Sequence, residues 1–185
     1  MCDIVIGLDL SGSSSRPTGI AKIMPPLVKF TTLYSNEDIV SVIAKTLPKL
    51  VAIDAPLTLP RKGYMRCIDR MMHKLGFPVL PPLFPGMRSL TRRGIILKSW
   101  LEEAGIEFIE VHPRSSLKAL ERLWSRKLNL EDIASKFSLE ITIKPKSKHE
   151  LDAFLAAITA LLHLQGKTKV ISCPDGSIVI PRWYL

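Results

Sequence analysis

Apolar positions come in short continuous runs in the first third of the chain, which is the pattern of strands in a buried sheet. Short turns rich in serine, glycine and proline separate the first three runs, so these runs predict an antiparallel meander. A helix from about residue 36 to 47, started by Ser35, follows the third run and would bring the fourth strand back parallel to the first. The predicted strands cover residues 3–10, 18–24, 27–34 and 50–54.

The rest of the chain predicts mainly helices, and the whole is expected to form one α/β domain over residues 1–185. Residues 55–104 form a proline-rich helical insertion around the loop 77–85, which we expect to be stiff and packed, with a mobile lid as the alternative. The predicted helices cover 63–75, 88–104, 114–124, 130–136 and 148–164, one strand covers 106–111, and a C-terminal hairpin pairs 169–173 with 178–181.

Composition narrows the class of protein. With 185 residues, of which 46% are hydrophobic, the chain is long enough to bury a conventional core. Its formal net charge of +9 and its pI near 9.6 indicate an anionic partner, with nucleic acid first and an anionic membrane surface second. Solubility alone is the other explanation of a basic surface. The sequence does not indicate an oligomeric state.

Targeting signals and cysteine use favour a cytoplasmic protein. The N-terminus lacks a basic region ahead of a long apolar run, and the longest apolar stretch, residues 153–164, is too short to span a bilayer. Cys2, Cys67 and Cys173 form no CxxC pair and are odd in number, so we expect neither a disulfide framework nor a zinc site. The scarcity of Asn and Gln beside many Lys and Arg is typical of a thermophilic source.

Carboxylates at the ends of core strands are the feature that predicts chemistry. Asp9 and Asp54 close the first and fourth strands, Glu110 lies near the end of the fifth, and Asp152 lies in the first turns of the last helix. Asp and Glu are poor strand formers and are seldom buried without a partner. Their oxygens are the ligands that Mg²⁺ prefers, so the pattern predicts a divalent metal site.

Each strand-end acid also has a structural alternative. Asp9 would cap the serine-rich turn that follows it, because Asp often hydrogen-bonds nearby backbone amides. Asp54 precedes an Ala-Pro pair, where an Asx-type turn is common. Glu110 would pair with Arg114 or His112 at the end of its strand.

Two further acids are expected to have structural roles. Ser147 and Glu150 fit a capping box at the start of the last helix, in which the Glu150 carboxylate reaches back to the backbone of Ser147. Asp69 lies between Arg66 and Arg70 in a predicted helix, which favours a structural ion pair.

Basic and small residues close to these acids in the sequence are candidate contacts for phosphate groups. Several cations follow Asp54, and the small residues after Asp9 would let a phosphate backbone approach. A solvated surface explains each cation equally well. The candidate substrate-binding residues are Arg66, Arg70, Arg114, His149 and Ser11.

The order of the elements and the places of the acids resemble the ribonuclease H-like (RNase H-like) superfamily. Four stretches also resemble an uncharacterised family of predicted nucleases, the domain of unknown function numbered 429. The last helix resembles that of Holliday-junction resolvases. The four stretches are residues 53–57, 66–70, 109–114 and 152–153, and the helix segment is 149–157.

This resemblance implies a nuclease that hydrolyses phosphodiester bonds of DNA or RNA with two Mg²⁺ or Mn²⁺ ions. Asp9, Asp54 and Asp152 would be the metal ligands, with Asp9 bridging both ions, and Glu110 would be a further catalytic carboxylate. One alternative is a non-catalytic nucleic-acid-binding protein on the same scaffold. Another is an actin-like phosphotransferase, although such enzymes normally carry two copies of this core in a longer chain.

Overall fold

The computed structural model describes residues 3–184. Its strands are β1 (Val5–Asp9), β2 (Thr18–Met24), β3 (Leu27–Leu33), β4 (Leu50–Asp54), β5 (Phe108–Glu110), β6 (Glu140–Ile141), β7 (Thr168–Cys173) and β8 (Gly176–Pro181). Its helices are α1 (Asn36–Thr46), α2 (Cys67–Lys74), α3 (Arg88–Glu103), α4 (Pro113–Leu123), α5 (Leu130–Lys136) and α6 (Lys148–Leu164).

Six strands form one mixed sheet in the order β5-β4-β1-β2-β3-β6. The antiparallel meander β1–β3 and the parallel pairing of β4 with β1 and of β5 with β4 confirm the predicted fold class, as does the separate hairpin β7–β8. The sixth strand was expected to be part of a linker. β6 pairs with only two residues of β3, which is too short to leave a pattern in the sequence.

Helices cover both faces of the sheet, and alternate strand residues supply the two cores. Val5 and Ala52 face the core built with α4, α5 and α6. Ile6 and Val51, one position away, face the core built with α1 and α3. Because β1 and β4 are buried on both faces, their apolar runs are continuous. Within residues 3–184, no helix combines the length and the apolar character that crossing a membrane requires.

α6 lies close to the sheet because two strand positions opposite it are glycines. A Cβ added to Gly7 would lie 2.1 Å from the carbonyl oxygen of Ala153 and 2.3 Å from the backbone nitrogen of Ala157. A Cβ on Gly19 would lie 2.1 Å from the carbonyl oxygen of His149. No side chain fits at these distances, so the two glycines determine how closely α6 approaches the sheet and in which direction it runs.

A third core joins α2 to the hairpin and to the proline-rich loop. Phe77 is fully buried in it and Val79 nearly so, so part of the loop is packed as expected, whereas Leu80 and Phe84 are about half exposed at 56% and 49%. The predicted helix over residues 63–75 is shorter, since α2 begins at Cys67.

The expectation that the cysteines form no disulfide is wrong. Cys67 at the start of α2 and Cys173 at the end of β7 are joined by a disulfide, with their Cα atoms 5.8 Å apart. The two residues are 106 positions apart in the sequence, so nothing local indicates that they meet. Cys2 lies outside the described residues.

We predict that Gly7→Ala destabilises the protein, because the new methyl group meets α6 backbone that cannot move without shifting the whole helix. We expect the free energy of unfolding to fall by about 1–3 kcal/mol, the usual cost of overpacking a core. Denaturant unfolding measures it. Gly86→Ala is the matched control, since a Cβ there meets nothing within 4 Å. An equal effect of both substitutions would contradict this account of the packing.

Candidate active site

Asp9 and Asp54 close two neighbouring parallel strands and lie side by side. The register of β1 with β4 places Asp9 directly opposite Asp54. Both side chains belong to the face that α6 covers, since Gly7 and Ala52, two positions earlier, pack against that helix. The strands are buried up to this point, and the side chain of Asp9 is 15% exposed. Two acids thus meet at the carboxyl edge of the buried sheet.

The first turns of α6 bring two more polar side chains to the same edge. The helix starts over Gly19, the β2 residue that pairs with Asp9. His149 and Asp152 are three residues apart and therefore share a helix face. Nδ1 of His149 lies 2.6 Å from Oδ2 of Asp9, so the two residues form a hydrogen bond and an ion pair when the imidazole is protonated. The structure therefore places Asp9, Asp54, Asp152 and His149 around one edge.

Glu150 has a structural role, but its partners differ from the expected ones. The Ser147 hydroxyl caps α6 by accepting a hydrogen bond from the backbone of Glu150 at 3.2 Å. The Glu150 carboxylate does not reach back to Ser147. It accepts hydrogen bonds from the backbone nitrogen of Lys146 at 2.6 Å and from the hydroxyl of Thr32 at 2.9 Å. These contacts fix the start of α6 against β3.

The pKa of each of the three aspartates is raised above its usual value. Burial is the largest cause for each of them, because it penalises the charged form. The negative charges of Asp9 and Asp152 add to it at Asp54, whose pKa lies well above its usual range. The hydrogen bond with His149 opposes the rise at Asp9. The charge of Arg114 opposes it at Asp54 and at Asp152.

The trio of Asp9, Asp54 and Asp152 fits a hard divalent cation in its donor chemistry. All its donors are carboxylate oxygens, and within residues 3–184 the side chain of neither Asp54 nor Asp152 accepts a hydrogen bond or forms an ion pair. When one carboxylate oxygen is taken from each aspartate of the trio, the three oxygens do not all lie within 4.8 Å of one another. In the part of the chain described, Cys67, Cys173 and Asp175 do meet that spacing, but the two sulfurs are bonded to each other.

Glu110 does not join this trio. It is 7% exposed, and both of its oxygens accept hydrogen bonds from Arg66, at 2.6 and 2.9 Å. The backbone nitrogen of Leu57 donates a further hydrogen bond at 2.8 Å. Neither partner expected from the sequence is used. The prediction of a catalytic role does not fit these contacts, because the carboxylate is already neutralised by a buried guanidinium.

Arg66, predicted to bind substrate, is buried and paired with two carboxylates, so that its predicted contact with substrate stays a prediction. Its side chain is 1% exposed and bridges Glu110 to Asp69, whose Oδ1 accepts a hydrogen bond from Nη2 at 2.8 Å. A further hydrogen bond goes from Nη1 of Arg66 to the hydroxyl of Thr58 at 2.9 Å. The expected ion pair of Asp69 is therefore present with Arg66, and Arg70 remains exposed on α2, where its predicted phosphate contact stays a prediction.

Ser11 is occupied within its own loop, and the cation that holds this loop was not recognised in the sequence. The Ser11 hydroxyl lies 2.9 Å from the carbonyl oxygen of Ser13 and 2.9 Å from that of Arg16, and it donates a hydrogen bond to these carbonyls. Nη1 of Arg93, on α3, donates to the Ser11 hydroxyl at 2.8 Å and to the Ser13 carbonyl at 3.1 Å. Arg93 is 6% exposed. α3 is an amphipathic helix with several cations, and the sequence does not distinguish the buried Arg93 from the others.

An open cavity of about 590 Å³, which we call the Asp54 cleft, lies beside the aspartates. Arg114 lines it and is exposed at the start of α4. His112 also lines it, with Nδ1 2.8 Å from the hydroxyl of Ser115. Burial, helped by the charge of Arg114, lowers the pKa of His112 to about 4, so this imidazole is neutral at pH 7. The sequence offered His112 only as a partner for Glu110.

Two solved structures of RuvC from Thermus thermophilus resemble this chain. RuvC by itself aligns with a TM-score of 0.48 at 13% identity, over 88% of this chain and 96% of RuvC. RuvC in complex with a Holliday junction substrate aligns with a TM-score of 0.50 at 14% identity, over 89% of this chain and 96% of RuvC. No protein-family model and no curated protein sequence matches. The likeness shows a shared RNase H-like fold.

We predict that Arg66→Ala lowers the free energy of unfolding by about 3–5 kcal/mol, because it leaves two buried carboxylates without their cation. Urea unfolding measures the loss. Arg70→Ala, an exposed arginine on the same helix, is the control and should stay within about 0.5 kcal/mol of the wild type. Similar losses in both variants would mean that the Arg66 network does not stabilise the fold.

We predict that Asp54→Asn stabilises the metal-free protein at neutral pH, because it removes a buried charge that two other aspartates repel. The melting temperature in EDTA should rise by roughly 2–4 °C, the shift that 1 kcal/mol produces in a domain of this size.

The sign of the pH dependence follows from the raised pKa of Asp54. The folded protein holds this proton more tightly than the unfolded chain, so the wild type loses stability as pH rises above the usual carboxyl pKa of 3.8. The gain from Asp54→Asn should therefore vanish below that pH and grow above it. A pH-independent gain, or a loss at neutral pH, would contradict the repulsion.

Proposed function

We propose that this protein is a metal-dependent nuclease that hydrolyses phosphodiester bonds in DNA or RNA. The observation that carries the proposal is the meeting of Asp9, Asp54 and Asp152 at one partly exposed edge of a buried sheet. Their mutual repulsion destabilises the fold, and a structural role gives no reason to retain three such acids together. A divalent cation would relieve that repulsion.

Asp9, Asp54 and Asp152 would hold the divalent cations, which when bound supply an activated water and charge stabilisation at the leaving oxygen of the phosphodiester. His149 fixes the orientation of Asp9 through its 2.6 Å hydrogen bond. α6 is itself fixed by the cap at Ser147 and by the close contact over Gly19, so Asp152 is presented on a rigid element.

Cations around the trio would hold the phosphate groups of the substrate. The charge of Arg114 acts on both Asp54 and Asp152, and that of Lys148 acts on Asp9 and Asp152. Both cations are exposed. They lie on different helices, α4 and α6, and the net charge of +9 adds a general attraction for nucleic acid.

A non-catalytic nucleic-acid-binding protein is the second candidate. The observation in its favour is that the oxygens of the three aspartates do not all lie within 4.8 Å of one another. In this alternative the basic surface binds nucleic acid, and the acids are without catalytic use. Cleavage assays separate the two candidates, because both predict salt-dependent binding and only one predicts cleavage.

We predict that the purified protein cleaves nucleic acid in Mg²⁺ or Mn²⁺ and that Asp9→Asn and Asp54→Asn each reduce the rate at least about 100-fold, as expected when a metal ligand is lost. The substrates are single-stranded, duplex and branched DNA and RNA. Branched DNA is included because the RuvC neighbour is described in complex with a Holliday junction substrate.

Asp3→Asn is the matched control, since Asp3 lies at the other end of β1, where it pairs with Lys49 at 3.2 Å. It should keep full activity. Retained cleavage in the Asp9 and Asp54 variants would exclude this site. Binding of every substrate without cleavage of any would favour the non-catalytic candidate.

A further inference from the structure

The Asp54 cleft is a cavity beside the three aspartates, and binding of metal by those aspartates does not account for it. It opens next to Asp54 and extends away from the trio between the proline-rich loop and the start of α4. Its volume of about 590 Å³ lies within the ~300–1,000 Å³ range of small-molecule pockets. Its size is therefore suited to one compact group bound beside the aspartates.

The walls of the cleft are mostly apolar. Phe77 and Val79 are buried in the third core and form a fixed wall, while Leu80 is 56% exposed and also lines the cavity. Met87 and Leu90, at the start of α3, line it as well. Exposed apolar side chains around a cavity lower the cost of burying a flat apolar ring there.

Besides Asp54, His73 and Ser115, the cleft has polar groups of two kinds, exposed cations and groups without net charge. At its mouth Arg114 and Lys118, on successive turns of α4, are exposed cations. Deeper, Arg66 and Glu110 neutralise each other and offer no net charge. His112 adds a neutral imidazole beside the apolar wall. An occupant is therefore expected to place an anionic group at the mouth and an uncharged body inside.

We propose that the Asp54 cleft binds one unpaired nucleobase of the substrate strand, next to the phosphate that faces the aspartates. The inference rests on the proposed nuclease function and narrows its substrate class to nucleic acid with an unstacked nucleotide at the cleavage site. Base and phosphate match the two kinds of surface that the cleft presents. The base enters between apolar side chains, and Arg114 and Lys118 face the adjoining phosphates.

A paired base does not satisfy this geometry, because it stays stacked within the duplex and cannot enter a cavity. The occupant is also expected to be part of a strand. Exposed cations on two different helices, Arg114 on α4 and Lys148 on α6, both act on Asp152, which suits a backbone that runs past the trio. The chemistry of the cavity does not distinguish a DNA base from an RNA base, so the test includes both.

The test is binding of oligonucleotides that carry 2-aminopurine, a fluorescent base, at one position. Each oligonucleotide, as DNA and as RNA, is tested in three forms: as a single strand, as a duplex in which the labelled base lies opposite a gap, and as a fully paired duplex. EDTA is present so that no cleavage occurs. We expect the 2-aminopurine signal to change on binding only when the base is unpaired. We expect Leu80→Ser to weaken binding of the unpaired strands about fivefold and to leave duplex binding unchanged.

Phe84→Ser is the matched control. Phe84 belongs to the same loop and is 49% exposed, close to the 56% of Leu80, but it does not line the cleft. Its effect should stay within about twofold. Met87→Ser, at another position in the lining of the cleft, should repeat the effect of Leu80→Ser, and melting curves establish that all three variants fold.

The outcomes separate this inference from the proposed function. Equal effects of the Leu80 and Phe84 variants, equal signals for paired and unpaired bases, or binding of free mononucleotide but of no strand would each overturn the cleft assignment. Metal-dependent cleavage that Asp54→Asn abolishes would still stand in those cases. Selective capture of unpaired bases without any cleavage would support the cleft and contradict the nuclease.

Discussion

The close approach of α6 to the central sheet is the constraint on which the rest of the structure depends. Gly7 and Gly19 leave no room for a side chain between the strands and the backbone of this helix. The helix therefore lies directly on β1 and β2, and its first turns end up at the carboxyl edge of the sheet. At that distance the His149 side chain reaches Asp9, and the charge of Asp152 acts on Asp54. Burial of the apolar residues of α6 supplies the stability that holds the acids there.

Two groups of carboxylates, one buried and one partly exposed, differ in how their charge is balanced. Asp69 and Glu110 share one buried guanidinium, that of Arg66, and their oxygens are filled by its hydrogen bonds. Among residues 3–184 the trio at the sheet edge has no comparable buried cation, and its repulsion is reduced by His149 and by the exposed Arg114 and Lys148. Buried charges are normally paired because an unpaired one is costly. The unbalanced group is thus the one that argues for function, whereas the balanced group ties β5 and α2 together and forms the deep end of the Asp54 cleft.

The sequence predicted the parts of this arrangement that depend on local pattern. Asp9 and Asp54 stood out because each ends a continuous apolar run, and such runs occur where a strand is buried on both faces. The bounds of α6 followed from Ser147 as its cap. The burial of Arg66 was missed because its partner Glu110 is 44 residues away, and the disulfide was missed for the same reason. Contacts between distant segments leave no periodicity, so an arginine in a basic segment looks the same whether it is buried or solvated.

Charge also links the two parts of the proposed site. Three carboxylates repel a phosphodiester, so the overall charge of +9 draws nucleic acid to the surface but does not by itself bring a phosphate next to Asp54. Under the proposed function, two divalent cations on the trio would outweigh the three carboxylates, reverse the sign of the local field and admit the phosphate. The inner part of the Asp54 cleft, away from Asp54 itself, needs no such reversal, because Arg66 and Glu110 balance each other there and His112 is neutral. Binding of the base and binding of the scissile phosphate therefore respond differently to metal: the first is available in its absence, and the second depends on it.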